Sequence, residues 1–274
     1  MAENLDDIDH RKGIEFLRKL QEKDPPRRLK ASTVGQSLDE LEKKIGVFSK
    51  MVESPEKTAL REANEKARRA RQIIDAIAKA RGVRYSPDEA TIEKFECNLA
   101  EQKIVKAKVQ EISLRLPEMI AKGHGIIFYG PVGTGKDHLM TALLYAAAKE
   151  TTACRWINGQ DLFGEIRDRT MDGGEKEARV LREFLEPDVL AISDLIRPAG
   201  ALSDFRLEFL YRLVDKRYSE RRGVWLTLNV DSPAEAEEFL MSSTWDRLQH
   251  SAAFIPCFWP SYREQNRKGI LLAR

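Results

Sequence analysis

The sequence predicts an α/β protein whose mostly parallel sheet is covered by helices and preceded by a helical N-terminal region. Two observations carry this prediction. Beyond residue 120, short apolar runs alternate with amphipathic helical patterns, which is typical of parallel strands joined by helices. The first 90 residues are instead highly charged and hold helical spacings. We therefore predict a helical region at residues 1–90 and an α/β core at 91–274, with the boundary within 82–92.

The composition narrows the class of protein. A chain of 274 residues with 42% hydrophobic residues fits one large domain or two smaller ones with a sizeable core. The net charge of +2 excludes a general attraction to nucleic acid, so DNA binding would need a local basic patch. Three distant cysteines without C-x-x-C spacing argue against a zinc site and fit a reducing cytoplasm: Cys97, Cys154 and Cys257. We expect a cytoplasmic protein, because we find neither a signal peptide nor the run of about 20 apolar residues that a membrane span needs.

A long amphipathic helix is predicted near the end of the N-terminal region. Ser54 is its predicted N-cap, Pro55 takes the first helical position and Gly82 ends it. Spacings of three and four residues form an a/d seam of Leu60, Ala63, Ala67, Ala70, Ile74 and Ile77. The other faces are basic, and two interpretations stay open: a solvated helix packed on its neighbours, or an arm that binds a partner or DNA. Shorter helices are predicted around residues 14–20 and 38–52.

The core is predicted to begin with a helix over residues 101–119 and to continue as alternating strands and helices. We expect strands at 126–129, 153–157, 189–193, 224–230 and 252–258. We expect helices at 138–149, 160–169, 175–185 and 207–221, then a helix capped by Ser232 and a helical segment at 245–248. Ligands of such sheets bind at the carboxyl ends of the strands, where Asp194 and Asn229 fall.

The segment between the first strand and its helix is predicted to bind the phosphates of a nucleotide. It reads Gly130-Pro131-Val132-Gly133-Thr134-Gly135-Lys136-Asp137 and continues with His138. Strand, glycine-rich loop and helix in this order turn backbone N–H groups and the positive end of the helix dipole toward an anion. Lys136 adds a full positive charge for the β- and γ-phosphates. The last position is unusual, because Asp137 replaces the Ser or Thr whose hydroxyl normally binds Mg²⁺.

A second departure from the usual pattern occurs where the strand 189–193 ends. Triphosphate sites normally place two acids there, one to hold Mg²⁺ and one to polarise the attacking water, whereas this chain has Ser193 and Asp194. We hypothesise a reciprocal exchange of carboxylate and hydroxyl that keeps Asp137, Ser193 and Asp194 near the metal. The alternative is the independent loss of two metal-binding positions, in a protein that binds nucleotide poorly or never hydrolyses it.

These motifs resemble those of the DnaC/IstB-like AAA+ ATPases, the replicative helicase loaders and transposition helper ATPases. Residues 130–139 are similar to that family's Gly-Pro-x-Gly-Thr-Gly-Lys-Thr-His-Leu, and residues 207–222 to its Leu-Tyr-x-Leu-x-x-x-Arg-Tyr-x-x-Arg helix. The resemblance covers roughly residues 91–264 and implies a P-loop AAA+ core. It assigns nucleotide binding to residues 130–138 and catalysis to Asp194, with Asn229 as a sensor, Arg247 as an arginine finger for a neighbouring subunit and Arg263 as the second sensor.

The resemblance also implies a function, a cofactor and partners, with residues 1–90 as the partner-binding region. We expect an ATPase that uses ATP and Mg²⁺, associates with itself through its ATP sites and loads a replicative helicase while binding single-stranded DNA. A transposition helper of the IstB kind, whose partner is a transposase, is the second expectation. A nucleotide-sensing adaptor that binds ATP without turnover is the third, and the residues that motivate it are Asp137 and Ser193.

Overall fold

The fold is taken from a computed structural model, in which residues 55–172, 174, 176–196 and 202–264 are described. The predicted helices around 14–20 and 38–52 and the predicted cap at Ser54 lie outside these residues. The chain divides into two compact units, Met1–Arg61 and Glu62–Arg274. The predicted boundary within 82–92 therefore falls inside the second unit, and the assignment of residues 1–90 to a separate domain stays a prediction.

Five parallel strands form one sheet: β1 Gly125–Tyr129, β2 Cys154–Asn158, β3 Val189–Ser193, β4 Gly223–Leu228 and β5 Ala252–Pro256. Their order across the sheet is β2-β3-β4-β1-β5, and every neighbouring pair is parallel. The register pairs Ile126 with both Trp225 of β4 and Ala253 of β5. The strand β1 thus lies between β4 and β5, and its carboxyl end is flanked by theirs. This arrangement confirms the predicted mostly parallel sheet covered by helices.

Eight α-helices connect and flank these strands within the described residues: α1 Pro55–Arg81, α2 Ala100–Ala121, α3 Lys136–Lys149, α4 Gly159–Arg167, α5 Glu177–Leu185, α6 Asp204–Ser219, α7 Pro233–Phe239 and α8 Ser242–Ser251. A 3₁₀ turn, Val83–Tyr85, follows α1, and a π turn, Asp168–Asp172, follows α4. The predicted bounds agree to within a few residues. Ser232 caps α7 as predicted, because its hydroxyl accepts a hydrogen bond from the Glu235 backbone N–H at 3.1 Å.

Two hydrophobic cores lie on the opposite faces of the sheet. One is built from α4 to α8 against β3 and β4, with Phe184, Phe209 and Trp245 among its fully buried members. The other is built from α1, α2 and α3, and it includes Ile77 and Leu143. Burial of both sheet faces explains why the strands read as apolar runs instead of alternating patterns.

Helix α1 is buried along only part of its predicted seam. Ala70 and Ile77 are buried, whereas Ala63 and Ala67 are exposed. The carboxyl-terminal half of the helix therefore packs as a core helix, and the two open interpretations of its basic faces remain predictions. Among the described residues, no helix is both long and apolar enough to cross a membrane.

The buried side chain of Arg217 joins α6 to the edge of the sheet opposite the predicted site. Its guanidinium has no solvent exposure and donates hydrogen bonds to the backbone carbonyls of Phe184, Leu185, Pro187, Asp188 and Gly223. Because burial disfavours the charged form, the pKa of Arg217 is lowered to about 10. The five carbonyls come from the end of α5, the turn before β3 and the start of β4, so this arginine fixes how the two strands enter the sheet.

Candidate nucleotide-binding site

The glycine-rich loop runs from the end of β1 to the start of α3, as the sequence predicts. Gly133 and Gly135 have φ values of 86° and 88°, which side chains disfavour. A Cβ on Gly133 would lie 2.1 Å from the Ser261 hydroxyl, and one on Gly135 would lie 2.7 Å from the Phe95 ring. These glycines are therefore required both by the backbone turn and by the close approach of other segments.

The Lys136 side chain is folded into the loop. It is 5% exposed, and its Nζ donates to the carbonyls of Gly130 and Pro131, both at 2.7 Å. Burial lowers the pKa of Lys136, whereas the nearby acidic groups of Cys257, Asp194 and Asp137 act to raise it. A buried ammonium at the start of α3 adds its charge to the dipole of that helix, which suits the binding of an anion.

The segment after β5 lies on the phosphate loop. The Trp259 Nε1 donates to the Thr134 carbonyl at 2.9 Å, and the Tyr262 backbone N–H donates to the Gly133 carbonyl at 2.9 Å. Arg263 is close enough that its charge lowers the pKa of Lys136. The structure therefore brings the predicted second sensor to the loop of the same chain. Its role remains a prediction.

The segment before α2 contacts the loop from the other side. The Phe95 ring lies 6.2 Å from the Trp259 ring and 5.9 Å from the His138 ring, measured between centroids. His138 Nε2 lies 2.7 Å from the Thr91 carbonyl, and burial lowers the pKa of this histidine. His138 thus holds the segment before α2 against α3, and its predicted part in nucleotide binding remains untested. Neither Phe95 nor Trp259 belongs to a local sequence motif, since each contacts the loop across a long stretch of chain.

Asp137, the unusual last residue of the loop, is enclosed by partners. Its Oδ1 accepts a hydrogen bond from the Thr227 hydroxyl at 2.9 Å, and its Oδ2 lies 3.5 Å from Arg81 Nη1. Burial raises the pKa of Asp137 and Asp194 raises it further, whereas Arg81, Thr227 and Lys136 act in the opposite direction. Both carboxylate oxygens therefore have partners from this chain.

Asp194 follows β3 with a left-handed φ of 49°, a conformation that turns its side chain away from the strand direction. Its Oδ1 accepts a hydrogen bond from Asn229 Nδ2 at 2.8 Å, and its backbone N–H donates to the Thr227 hydroxyl at 3.0 Å. Thr227 thus connects Asp194 to Asp137. The structure brings these residues of three neighbouring segments together at the carboxyl edge of the sheet, as the sequence predicts.

Ser193 is the predicted hydroxyl partner in the exchange. It is fully buried, and its Oγ has no hydrogen-bond partner among the described residues. Since side chains alternate along a strand, Ser193 lies on the same face of β3 as Val189 and Ala191, which pack in the core that contains α3. The hydroxyl in contact with Asp137 is nevertheless that of Thr227, on the neighbouring strand β4.

Arg247, the predicted arginine finger, lies on α8 away from this cluster. Its Nη2 pairs with Asp215 Oδ1 at 2.7 Å, and its Nη1 donates to the Ser243 carbonyl at 2.6 Å. Its guanidinium also lies 5.3 Å from the Tyr211 ring centroid. These contacts connect α8 to α6, so within one chain Arg247 is held outside the loop.

The oxygen atoms at the edge of the sheet suit a hard cation such as Mg²⁺. Mg²⁺ is usually held by one or two carboxylates and the substrate phosphates. Asp194 has one carboxylate oxygen without a described partner bond, and the unpartnered Ser193 hydroxyl is a second oxygen on the same strand. The described residues hold no group of three His, Cys, Asp or Glu side chains that would bind a metal alone. The site therefore fits a cation that arrives with nucleotide phosphates.

Four features together define a P-loop protein of the AAA+ class. They are a glycine-rich phosphate loop, an acidic residue after β3, a polar residue after β4 and the strand order β2-β3-β4-β1-β5. A family model described as IstB-like ATP binding protein matches residues 49–269. The match covers most of the chain, so the chain belongs to the family of IstB-like ATP-binding proteins.

Two relatives illustrate the similarity. A protein described as an ATP-binding protein of insertion sequence IS232, from Bacillus thuringiensis subsp. berliner, is 31% identical over 160 residues, which are 56% of this chain and 59% of that protein. The replicative helicase loader DnaC of Escherichia coli (strain K12) is 25% identical over 142 residues, 51% of this chain and 56% of that protein. The chain thus spans a little more than half of the length of each.

The fold is also shared with a solved structure. A crystal structure of the DnaC helicase loader superposes with a TM-score of 0.57 at 20% identity, covering 64% of this chain and 99% of that one. At this identity the comparison bears on the fold alone. It confirms the predicted α/β fold with a mostly parallel sheet.

Proposed function

We propose that this chain is an ATPase that binds ATP with Mg²⁺ at the phosphate loop and uses it to control a DNA-handling partner. The observation that carries the proposal is the hydrogen-bonded connection from the loop through Asp137 and Thr227 to Asp194 and Asn229. This connection supports the proposal, because with Lys136 it would give one edge of the sheet a lysine for the phosphates, a general base and a polar sensor. These are the parts that phosphoryl transfer to water requires.

The chemistry follows from the positions of these side chains. Backbone N–H groups of the loop and Lys136 would bind the phosphates, and Asp194 would orient and polarise the attacking water. Asn229, which donates to Asp194, would fix the direction of that carboxylate. Mg²⁺, held by Asp194, Ser193 and the phosphates, would neutralise charge on the triphosphate. Arg263 would contact the phosphates in the same chain, and Arg247 would reach the site of a neighbouring copy.

The proposed partner is a transposase. The family match and the insertion-sequence relative favour a transposition helper. Helicase loading, the first expectation from the sequence, is the second candidate, and the similarity to DnaC favours it. Both functions use the same ATP-dependent core, so the choice depends on which protein the chain binds.

ATP binding and turnover are tested with the full chain and the variants Lys136→Ala, Asp194→Asn and Lys149→Ala. We expect Lys136→Ala to weaken ATP binding at least about tenfold, and Asp194→Asn to bind ATP while losing hydrolysis. Lys149 is an exposed lysine of the same helix, so Lys149→Ala is the matched control and should behave as wild type. Wild-type chain that binds ATP but releases no phosphate, with or without single-stranded DNA, would point to the nucleotide-sensing adaptor.

The partner is tested by binding the purified full chain, with ATP, to a transposase and to a replicative helicase encoded by the same source. Stable ATP-dependent binding to the transposase alone is the expected result. Binding to the helicase alone would replace the transposition helper with the helicase loader. A phosphate-release assay with single-stranded and double-stranded DNA tests which nucleic acid the chain recognises.

A further inference from the structure

Arg81, at the carboxyl-terminal end of α1, is a buried cation that lies against two aromatic rings. Its side chain is 3% exposed. Its guanidinium carbon lies 3.8 Å from the centre of the Tyr85 ring and 4.3 Å from that of the Trp156 ring. The Tyr145 hydroxyl donates to the Tyr85 carbonyl at 2.6 Å and so helps to fix the first of these rings. Cation–π contacts with these two rings hold the guanidinium in place.

This cation is directed at the last residue of the phosphate loop. Arg81 Nη2 donates to the Asp137 carbonyl at 3.2 Å, and Arg81 Nη1 lies 3.5 Å from Asp137 Oδ2. The guanidinium therefore contacts both the backbone and the side chain of Asp137. The other oxygen of the carboxylate accepts from Thr227, so Arg81 and Thr227 together determine its orientation.

The charge of Asp137 is the reason that this contact matters for an anionic ligand. A carboxylate at the start of α3, close to Lys136, opposes the positive potential that a triphosphate needs. A neutral hydroxyl at this position, as in related loops, raises no such difficulty. In this chain the opposing charge has a buried cation beside it, so the loop retains a net positive character.

We propose that Arg81 is a positioning residue of the nucleotide site, and that the Arg81–Asp137 pair replaces the neutral hydroxyl that ends other loops of this kind. The inference rests on the proposed binding of ATP. Arg81 lies outside the recognised motifs, and its contacts with Asp137 couple the loop to the end of α1. It also accounts for Asp137 in a loop that still binds phosphates.

The competing explanation is that Arg81 only stabilises the fold. The two explanations differ in what happens when residue 137 is changed at the same time. If Arg81 compensates the carboxylate, its removal weakens ATP binding only while Asp137 is present. If Arg81 is solely a structural clamp between α1 and α3, its removal has the same effect whatever stands at 137.

The test compares wild type with Arg81→Met, Asp137→Thr, the double variant and the control Lys79→Met, which removes a charge from an exposed side chain in the same turn. The probe is a fluorescent ATP analogue with Mg²⁺, titrated at equilibrium, and thermal unfolding is recorded for each protein. We expect Arg81→Met to bind at least about tenfold more weakly, which corresponds to about 1.4 kcal/mol. The double variant should return to within about threefold of wild type, and Lys79→Met should not differ from it.

Each other outcome overturns a specific statement. Wild-type affinity in Arg81→Met, or weak binding that the double variant fails to restore, would overturn the role of Arg81. Absence of ATP binding in wild type itself would overturn the proposed function, and this result is distinguishable because it needs no variant. Should Arg81→Met fail to fold, Arg81→Gln is the second variant, because it removes the charge and keeps an amide that can donate to Asp137.

Discussion

The Thr227 hydroxyl donates a hydrogen bond to Asp137 Oδ1 at 2.9 Å, and so joins the central strand β4 to the start of α3. The same hydroxyl accepts a hydrogen bond from the Asp194 backbone N–H at 3.0 Å. One buried hydroxyl therefore contacts both acidic residues of the candidate site. A change in the position of either one is transmitted to the other through a single side chain, without passing through solvent.

Thr227→Val should destabilise the protein and reduce ATP turnover. The substitution keeps the shape of the side chain but leaves Oδ1 of the half-buried Asp137 carboxylate without its donor and the Asp194 N–H without an acceptor. We expect a loss of about 1–3 kcal/mol in the free energy of unfolding, measured with urea. Thr244→Val is the matched control, since Thr244 is also buried and its hydroxyl has no hydrogen-bond partner among the described residues. Equal losses in the two variants would contradict the prediction.

Arg217→Met should be among the most destabilising single substitutions in the sheet region. It removes the donors of five backbone carbonyls that are otherwise shielded from water. We expect a loss of at least about 3 kcal/mol in the free energy of unfolding. Arg212→Met on the same helix removes only a half-exposed ion pair with Glu177 and should cost less than about 1 kcal/mol. A small effect of Arg217→Met would show that water replaces these bonds.

Arg247→Ala should leave ATP binding intact and abolish hydrolysis in assemblies. Within one chain Arg247 is paired with Asp215, so its proposed action is on the nucleotide of a neighbouring copy. Loss of an arginine finger lowers turnover by about 10³-fold or more. Mixing Arg247→Ala with Lys136→Ala should restore part of the activity, because one kind of mixed interface pairs an intact Lys136 site with an intact Arg247. If the mixture regains no activity, the assignment of Arg247 as an arginine finger is wrong.

The thiols of the half-buried Cys154 and the buried Cys257 should resist alkylation in the native protein. Burial raises the pKa of Cys154 to about 12 and that of Cys257 to about 12, so both remain protonated at pH 8. We expect iodoacetamide to modify neither within the time that modifies a free thiol peptide, and to modify both in denaturant. Mass spectrometry of proteolytic fragments measures this, and a Cys97→Ser variant removes the remaining described thiol. Rapid native labelling of Cys257 would show that the segment after β5 opens away from the loop.

Local signals in the sequence predict much of the fold. The strand Val189–Ser193 is predicted with the observed bounds, because an apolar run is followed by a polar residue that ends it. The phosphate loop and the cap at Ser232 were also predicted, since both depend on residues a few positions apart. The order of the strands in the sheet was not predicted, because apolar runs do not specify their neighbours.

The contacts that surround the loop could not be read from local patterns. Arg81 and Asp137 are separated by 56 positions, and Trp259 and Thr134 by 125. In the sequence Arg81 is one of many basic residues on α1, and only the folded chain shows that it is buried beside two aromatic rings. The sequence indicates that Asp137 is unusual and suggests Ser193 as its counterpart. In the structure the contacts of Asp137 are instead with Arg81 and Thr227.

The phosphate loop is held from both sides by segments that lie at opposite ends of the core. Phe95 contacts it a few residues before α2, and Trp259 and Tyr262 contact it shortly after β5. A segment before α2 and a segment after β5 thus meet at the same strand-to-helix turn. A force on either segment would therefore reach the loop without first deforming the sheet, and a nucleotide bound as proposed would displace both segments.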